Sequence, residues 1–346
     1  MTKLCDVNTT DIGDAIRLAC RNMCNCFAPD DHNFPYWQVD VLPKTFLAKP
    51  FEQENPGRHL PPLFMANELA DIPIDEDCIT KHANSVFFSY GAGRLPLPLR
   101  RAEDKDFNVL DIDSLPTNMV VHNHREGIQA LWALTKYRFS DRAQELAKSS
   151  ISTILEYWDP ENEWDYDRLE GTHGISSRKS RNFINGIARA IGPLVKFYAT
   201  TGHGPALELA SMLKEKAVSE FYFEDGSHDP DRFGTHSHST TCVTSSLAQF
   251  ADLTSDSKLM SRVKLFYDKG LWDMRDGIGW SPENSGYEKY TDRGEINNTS
   301  DILETALILG RWGYPECYHD AERILRCHLL PSQLRDVSWI PKPQNP

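Results

Sequence analysis

The chain has 346 residues, 40% hydrophobic and 25% charged, which are globular proportions and enough to bury a sizeable core. Fifty acidic residues against 37 basic ones leave a net charge of −13. This balance argues against a nucleic-acid or anionic-membrane partner, because phosphate binding needs net positive patches, and no apolar run approaches the roughly 20 residues of a membrane span.

The first residues, Met1-Thr-Lys-Leu-Cys5, hold no apolar signal core. A cytoplasmic setting is expected, although a trimmed secretion signal would leave the same mature chain. Eight cysteines stand at 5, 20, 24, 26, 78, 242, 317 and 327. On a helix Cys20 and Cys24 share a face and Cys26 points elsewhere. No paired C-x2-C spacing with distant partners accompanies them. They read as core thiols, and neither metal nor cofactor is expected.

Apolar residues three and four apart mark the helices. Ile12, Ile16, Ala19, Cys20 and Met23 predict one over 11–26, and another falls over 75–90. Residues 27–60 and 91–118 are rich in Pro, Asp, Asn and Gly, with no sustained period. From 119 onward helices come in pairs: 120–139 with 141–158, 180–201 with 204–222, 238–254 with 256–272, and 297–312 with 316–329. Arg138-Phe-Ser-Asp-Arg-Ala-Gln-Glu-Leu-Ala147, Thr201-Gly-His-Gly-Pro-Ala-Leu-Glu-Leu-Ala210 and Leu253-Thr-Ser-Asp-Ser-Lys-Leu-Met260 share one logic. A helix stops, a small or polar residue turns the chain, and a helix restarts. Such tight connections make antiparallel hairpins. Their spacing suits a closed ring better than a solenoid.

Long loops at 159–179, 223–237 and 273–296 carry aromatics, acids and glycines. Ordered loops on one side of a scaffold are where sites gather. Each helix that follows such a loop begins with a polar turn: His122-Asn-His-Arg-Glu126, Arg181-Asn-Phe-Ile-Asn185, His236-Ser-His-Ser-Thr-Thr241 and Glu295-Ile-Asn-Asn-Thr-Ser-Asp301. These read as an inner ring whose polar starts converge, with free N–H groups that favour anionic ligands. The second helix of each pair is amphipathic and reads as the outer ring.

These stretches resemble the α/α-toroid carbohydrate-active enzymes, and most nearly the catalytic barrel of bacterial β-L-arabinofuranosidases. The family has a His-led inner helix ending in a polar turn, similar to His236-Ser-His-Ser-Thr-Thr-Cys242 with Ala251-Asp-Leu-Thr-Ser-Asp256. Its later Glu-led helix looks like Glu295 through Trp312. Where the family places a zinc-binding cysteine this chain has Asn297, and the later cysteine pair has no counterpart. The resemblance, over 120–330, extends to uronate-acting toroids such as unsaturated glucuronyl hydrolases, β-glucuronidases and polysaccharide lyases. It implies an all-α, (α/α)6-type toroid of helical hairpins over 1–346, with 1–118 forming an irregular N-terminal segment and 119–330 the clear hairpins.

Glycoside cleavage needs two carboxyl groups, one a proton donor and the other a base or nucleophile. Glu295, Asp301 and Glu126 are the catalytic candidates at inner-helix starts. Their competing role is helix capping. Asp165 and Asp167 are further loop acids. His122, His124, His173, His236 and His238 are substrate-binding candidates. Residues two apart on a helix point in nearly opposite directions, so neither H-x-H pair is expected to converge on one ligand. Arg181, beside Arg178 and Lys179, suits capture of a substrate carboxylate. Asn185, Trp280, Tyr287 and Asn297 complete the expected subsite, the aromatics by stacking on sugar C–H faces. No phosphate-binding loop, dinucleotide fingerprint, serine elbow or H-E-x-x-H motif is present.

The expected function is a glycoside hydrolase that removes a terminal sugar, a uronic acid among the candidates, by carboxyl acid/base catalysis. A lyase with a His or Tyr base acting on a uronate is the enzyme alternative. A non-catalytic sugar-binding toroid is the other. The expected partner is an oligosaccharide or glycoside. No nucleic acid or membrane is expected, and no oligomer is indicated.

Overall fold

The computed structural model describes residues 11–48, 54–91, 95–100, 118–177, 182–285 and 293–343. Among these the secondary structure is thirteen α-helices, a few short 3-10 or π turns, and strands of only two or three residues. The chain divides into two compact units. One gathers the described residues of 16–180, 200–205 and 335–346, and the other those of 1–15, 181–199 and 206–334. We call them the N-terminal and C-terminal units.

In the N-terminal unit, α1 (Ile12–Met23, from residue 16 on), α2 (Asn55–Ala70) and α3 (Glu76–Gly91) precede the hairpin of α4 (His124–Arg138) and α5 (Asp141–Tyr157). The helix α2 departs from the sequence expectation, since it begins inside the stretch read as irregular and contains Pro56, Pro61 and Pro62. Pro56 sits in the first turn, where a missing N–H costs nothing. The other two are carried by packing: Leu60, Leu63 and Phe64 are buried, and α2 lies so close on α4 that a methyl group at Gly57 would overlap the Glu126 carbonyl. Tertiary burial here outweighs a poor helix propensity. The loop expected over 159–179 is partly helical. Its α6 (Tyr166–His173) starts where the Asp165 carboxylate accepts the Arg168 N–H at 3.0 Å, so Asp165 is a helix cap.

The C-terminal unit holds α7 (Ile191–Thr201, to residue 199), α8 (Gly204–Glu220, from residue 206), the single turn α9 (Pro230–Phe233), α10 (Ser237–Thr254), α11 (Ser257–Asp268), α12 (Ile296–Arg311) and α13 (Glu316–Ile324). The helix expected from 180 begins later, because residues 182–186 turn and a 3-10 segment, Ile187–Ala190, leads into α7.

The hairpin logic is visible residue by residue. Phe139, Gly202 and Ser255 each follow a helix end with φ of 51°, 69° and 56°. A left-handed residue there ends a helix by turning the chain so that its own N–H and the next reach back to the last carbonyls. Ser140 and Asp256 then cap the next helix, accepting the N–H of Ala143 at 3.2 Å and of Leu259 at 2.9 Å. The helix α10 is buried almost all round, as an inner helix is, whereas α11 buries one face.

Candidate active site

The site in the C-terminal unit is built by backbone pairing. Residues 281–285 run as an extended connector between the starts of α10 and α12. On one side Ser237 N donates to Glu283 O at 3.0 Å and Ser285 N to Thr235 O at 2.7 Å. On the other, Glu283 N donates to Arg293 O at 2.8 Å and Glu295 N to Ser281 O at 3.2 Å. One segment thus sets the register of His236 against Glu295. The approach to His236 is fixed by Gly234, at φ 75° and ψ 179°, a region open essentially only to glycine. Asn182 Nδ2 fastens this turn by donating to Arg232 O at 2.9 Å and Phe233 O at 3.0 Å. Asn185, an expected subsite residue, sits beside the same glycine, and its backbone N–H donates to Asn182 Oδ1 at 2.9 Å.

His236 stands at the cap of α10 with ψ 97°, outside the helix, and His238 lies in the first turn. Because His236 is not helical, the two imidazoles converge although residues two apart within a helix would diverge. His236 Nε2 is 3.4 Å from Glu295 Oε2, and His238 Nδ1 is 3.4 Å from Glu295 Oε1. The other face of His238 meets Asp301, with Nε2 3.4 Å from Oδ2. Thr241 donates to that same Asp301 oxygen at 3.0 Å, and Asn297 Nδ2 donates to Glu295 Oε1 at 2.8 Å. His236 Nδ1 is paired with Ser239 Oγ at 2.8 Å. Glu295 does not use its side chain to cap α12, so its carboxylate is committed to the two histidines and Asn297.

Exposure separates the roles. The side chains of His236 and Glu295 are 30% and 20% exposed, against 2% for His238 and 8% for Asp301. His236 is therefore the most open of the four and Glu295 is part-exposed, with its Oε2 itself buried, while His238 and Asp301 stand behind them. One buried imidazole lies between two carboxylates, and a neutral imidazole, with a single N–H, can donate to only one of them at a time. The helix N-termini of α10 and α12 add positive potential to the carboxylate that meets them. Nitrogens of His236 and His238 and an oxygen of Glu295 all lie within 4.8 Å of one another, a donor set that also suits a divalent cation. Trp280 is half-buried and its indole packs on Gly294, next to Glu295.

Three contributors escaped the sequence reading. They are Thr241 and Asn182, which stand inside the polar turns but are not among the expected site residues, and the 281–285 connector, which carries no periodic or motif signal. Asn298, buried, anchors the connector by donating to Ser281 Oγ and Pro282 O, both at 3.1 Å. Arg181 and Tyr287, with Arg178 and Lys179, lie outside the described residues.

In the N-terminal unit, His122, His124 and Glu126 are all buried. His124 Nδ1 donates to Val121 O at 2.8 Å, its ring packs 5.0 Å from Trp164, and burial pushes its pKa down to about 4. Its Nε2 is buried with no hydrogen-bond partner among the described residues. Glu126 is ion-paired, 3.2 Å from Arg125 Nη1 and 3.6 Å from Arg58 Nη2. His173 Nε2 is 2.6 Å from the Tyr157 hydroxyl.

Comparison with solved structures gives the class of fold. The chain is an all-α protein with the fold of the α/α-toroid sugar enzymes. It is similar to an unsaturated glucuronyl hydrolase from Streptococcus agalactiae, with TM-score 0.64, 10% identity, and 97% of this chain and 86% of that one covered. A second unsaturated glucuronyl hydrolase, from Bacillus sp. GL1, gives TM-score 0.60 at 15% identity over 94% and 84%. A D-mannose isomerase gives 0.62 at 10% identity over 94% and 87%. No protein-family model and no curated protein matches the sequence.

Proposed function

We propose that this chain is a carbohydrate-active enzyme that hydrolyses a terminal uronic-acid glycoside, with Glu295 as the acid/base. The observation that carries this reading is the Glu295–His238–Asp301 array at the joined starts of α10 and α12. In this mechanism Glu295 exchanges a proton with the reacting oxygen or its attacking water. His238, with Asp301 behind it, resets the proton on Glu295 and holds the carboxylate in place. His236 binds the sugar at the rim, and Trp280 offers an apolar face beside it. Asp301 is a positioning residue in this scheme, since it reaches the substrate only through His238. Support for a sugar substrate comes from the fold, which unsaturated glucuronyl hydrolases and sugar epimerases and isomerases share. Two imidazoles around one carboxylate also favour a second reading, proton transfer at a carbon of the sugar, as in a lyase, epimerase or isomerase.

A panel of saturated and 4,5-unsaturated uronic-acid glycosides separates these readings. Hydrolysis releases reducing ends. Cleavage of an unsaturated substrate also lowers the ultraviolet absorbance, whereas a lyase raises it from a saturated one. On the substrate so found, Glu295→Gln is expected to lower kcat by about 10²–10⁴-fold. A loss of no more than about twofold in both Glu295→Gln and His238→Gln would remove the assignment, being too small for any acid/base role.

A further inference from the structure

A second group of side chains lies in the N-terminal unit, apart from the chemistry just described. Cys26 follows α1, His59 lies in α2 and His82 in α3. One ligand atom from each falls within 4.8 Å of the other two. Cys26 Sγ and His59 Nδ1 are 3.8 Å apart. A tetrahedral zinc-type ion with bonds of about 2.3 Å to sulfur and 2.0 Å to nitrogen spaces such a pair by about 3.6 Å. The pair is thus close to ligating distance, and a small side-chain rotation closes the remainder.

His82 is held in place from several sides, and the Met23 carbonyl that fixes it also accepts from the Cys26 thiol at 3.3 Å. Its Nε2 donates to the Met23 carbonyl at 3.1 Å, and its ring is held by Phe27 at 4.8 Å and by His59 at 5.0 Å. That bond places the proton on Nε2 and leaves a lone pair on Nδ1, which is buried with no hydrogen-bond partner among the described residues. A metal-bound histidine commonly has one nitrogen on the ion and the other on a backbone carbonyl, and His82 has one nitrogen so paired and one without a partner among the described residues. A buried, unpaired acceptor costs stability unless something fills it. Cys26 and His59 are only half-buried, which leaves a path for an ion. The thiols of Cys24 and Cys78 lie beside the cluster, Cys78 Sγ being 4.0 Å from the Met23 carbonyl.

We propose that Cys26, His59 and His82 form a binding site for a zinc-type divalent cation, with the fourth position open to water. The thiol proton of Cys26 leaves to solvent as the sulfur binds. Such an ion would tie the chain after α1 to α2 and α3.

The test uses the full chain, purified with Zn2+, freed of loose metal by gel filtration and analysed by plasma mass spectrometry. At least one zinc per chain is expected, one equivalent of which is lost in Cys26→Ser. Replacement by Co2+ should give a near-ultraviolet thiolate-to-cobalt charge-transfer band with the visible bands of tetrahedral cobalt. Cys26→Ser should abolish the charge-transfer band, and His82→Gln should weaken Zn2+ retention about tenfold or more. Glu295→Gln should leave the band intact, which separates this site from the His236–His238–Glu295 group. Iodoacetamide labelling of the unaltered protein makes the same test without a variant: Zn2+ should shield Cys26 and leave exposed Cys327 reactive. No charge-transfer band, a band that survives Cys26→Ser, or equal Cys26 labelling with and without Zn2+ would each overturn the proposal.

Discussion

Oxygen Oε1 of Glu295 faces Asn297 at 2.8 Å and His238 at 3.4 Å, and Oε2 faces His236 at 3.4 Å. A hydrogen bond to a charged group contributes about 1.5–3 kcal/mol. If that bond aligns the carboxylate for reaction, its loss appears in kcat more than in KM. Asn297→Ala is therefore expected to lower kcat by about 10–100-fold, with thermal stability little changed because the residue is only half-buried. Steady-state kinetics with a melting curve decides it. A parallel rise in KM alone would make Asn297 a plain binding residue. Deeper in the site, Thr241 donates to Asp301 where both are buried. Thr241→Val keeps the shape and removes the donor, leaving a buried carboxylate oxygen one bond short. A stability loss of about 1–3 kcal/mol is expected by urea denaturation. At this scale the sequence pointed to Glu295, Asp301, His236, His238 and Asn297 by their place at polar helix starts. It could not show that both histidines reach one carboxylate. That depends on the single backbone angle at His236, which no residue pattern encodes.

Elements that are joined by short connections were the legible part of the fold. A left-handed residue followed by a Ser or Asp cap is written in the local sequence, and it recurs at 139–140 and 255–256. Elements held by distant packing were not legible. The helix α2 hides behind its prolines, because what makes it a helix is the surface of α4. The connector at 281–285 has no alternation to read, since its bonds are to the backbone of two separate segments. Between these extremes stands Gly234, whose conformation is local but whose purpose is not. It lets the chain pass against Asn182 and Asn185 before turning to His236. A Cβ at this position would lie 2.9 Å from Asn182 Nδ2 and 3.1 Å from Asn185 Nδ2, in a backbone region that side chains avoid. Gly234→Ala is expected to cost about 1–3 kcal/mol and to lower activity by shifting His236. Asp256→Ala makes a useful contrast, because it removes the cap of α11 far along the chain from the site. It should cost about 1 kcal/mol in the same denaturation experiment while leaving kcat unchanged. Equal losses of activity in the two variants would mean that the Gly234 effect is general unfolding.

For the whole molecule, the net charge of −13 describes the surface and conceals several buried neutral imidazoles. His124 is the clearest, enclosed by Trp164, with His122 and Glu126 as its titratable neighbours. Burial lowers its pKa from the ordinary 6.5 to about 4, outweighing the opposite pull of Glu126 and of its bond to Val121. Above pH 6.5 the folded and unfolded chains both carry it neutral, and its titration adds no pH dependence. Between 6.5 and about 4 the unfolded chain takes up a proton that the folded chain refuses, so stability falls as the pH falls. Below about 4 both forms are protonated and the loss levels off. Each histidine of this kind removes up to about 1.4 kcal/mol per pH unit within its window. His82, lowered to about 4, and His59, lowered to about 3, act in the same direction when no metal is bound. Urea unfolding between pH 7 and 4, in the presence of a chelator, should therefore show a midpoint that drops steadily below about pH 6.5. His124→Phe preserves the packing on Trp164 and cannot titrate, so its slope over the same range should be shallower than that of the unaltered protein. If the two slopes coincide, His124 takes up its proton as readily in the folded chain as in the unfolded one, and the acid sensitivity belongs to other groups.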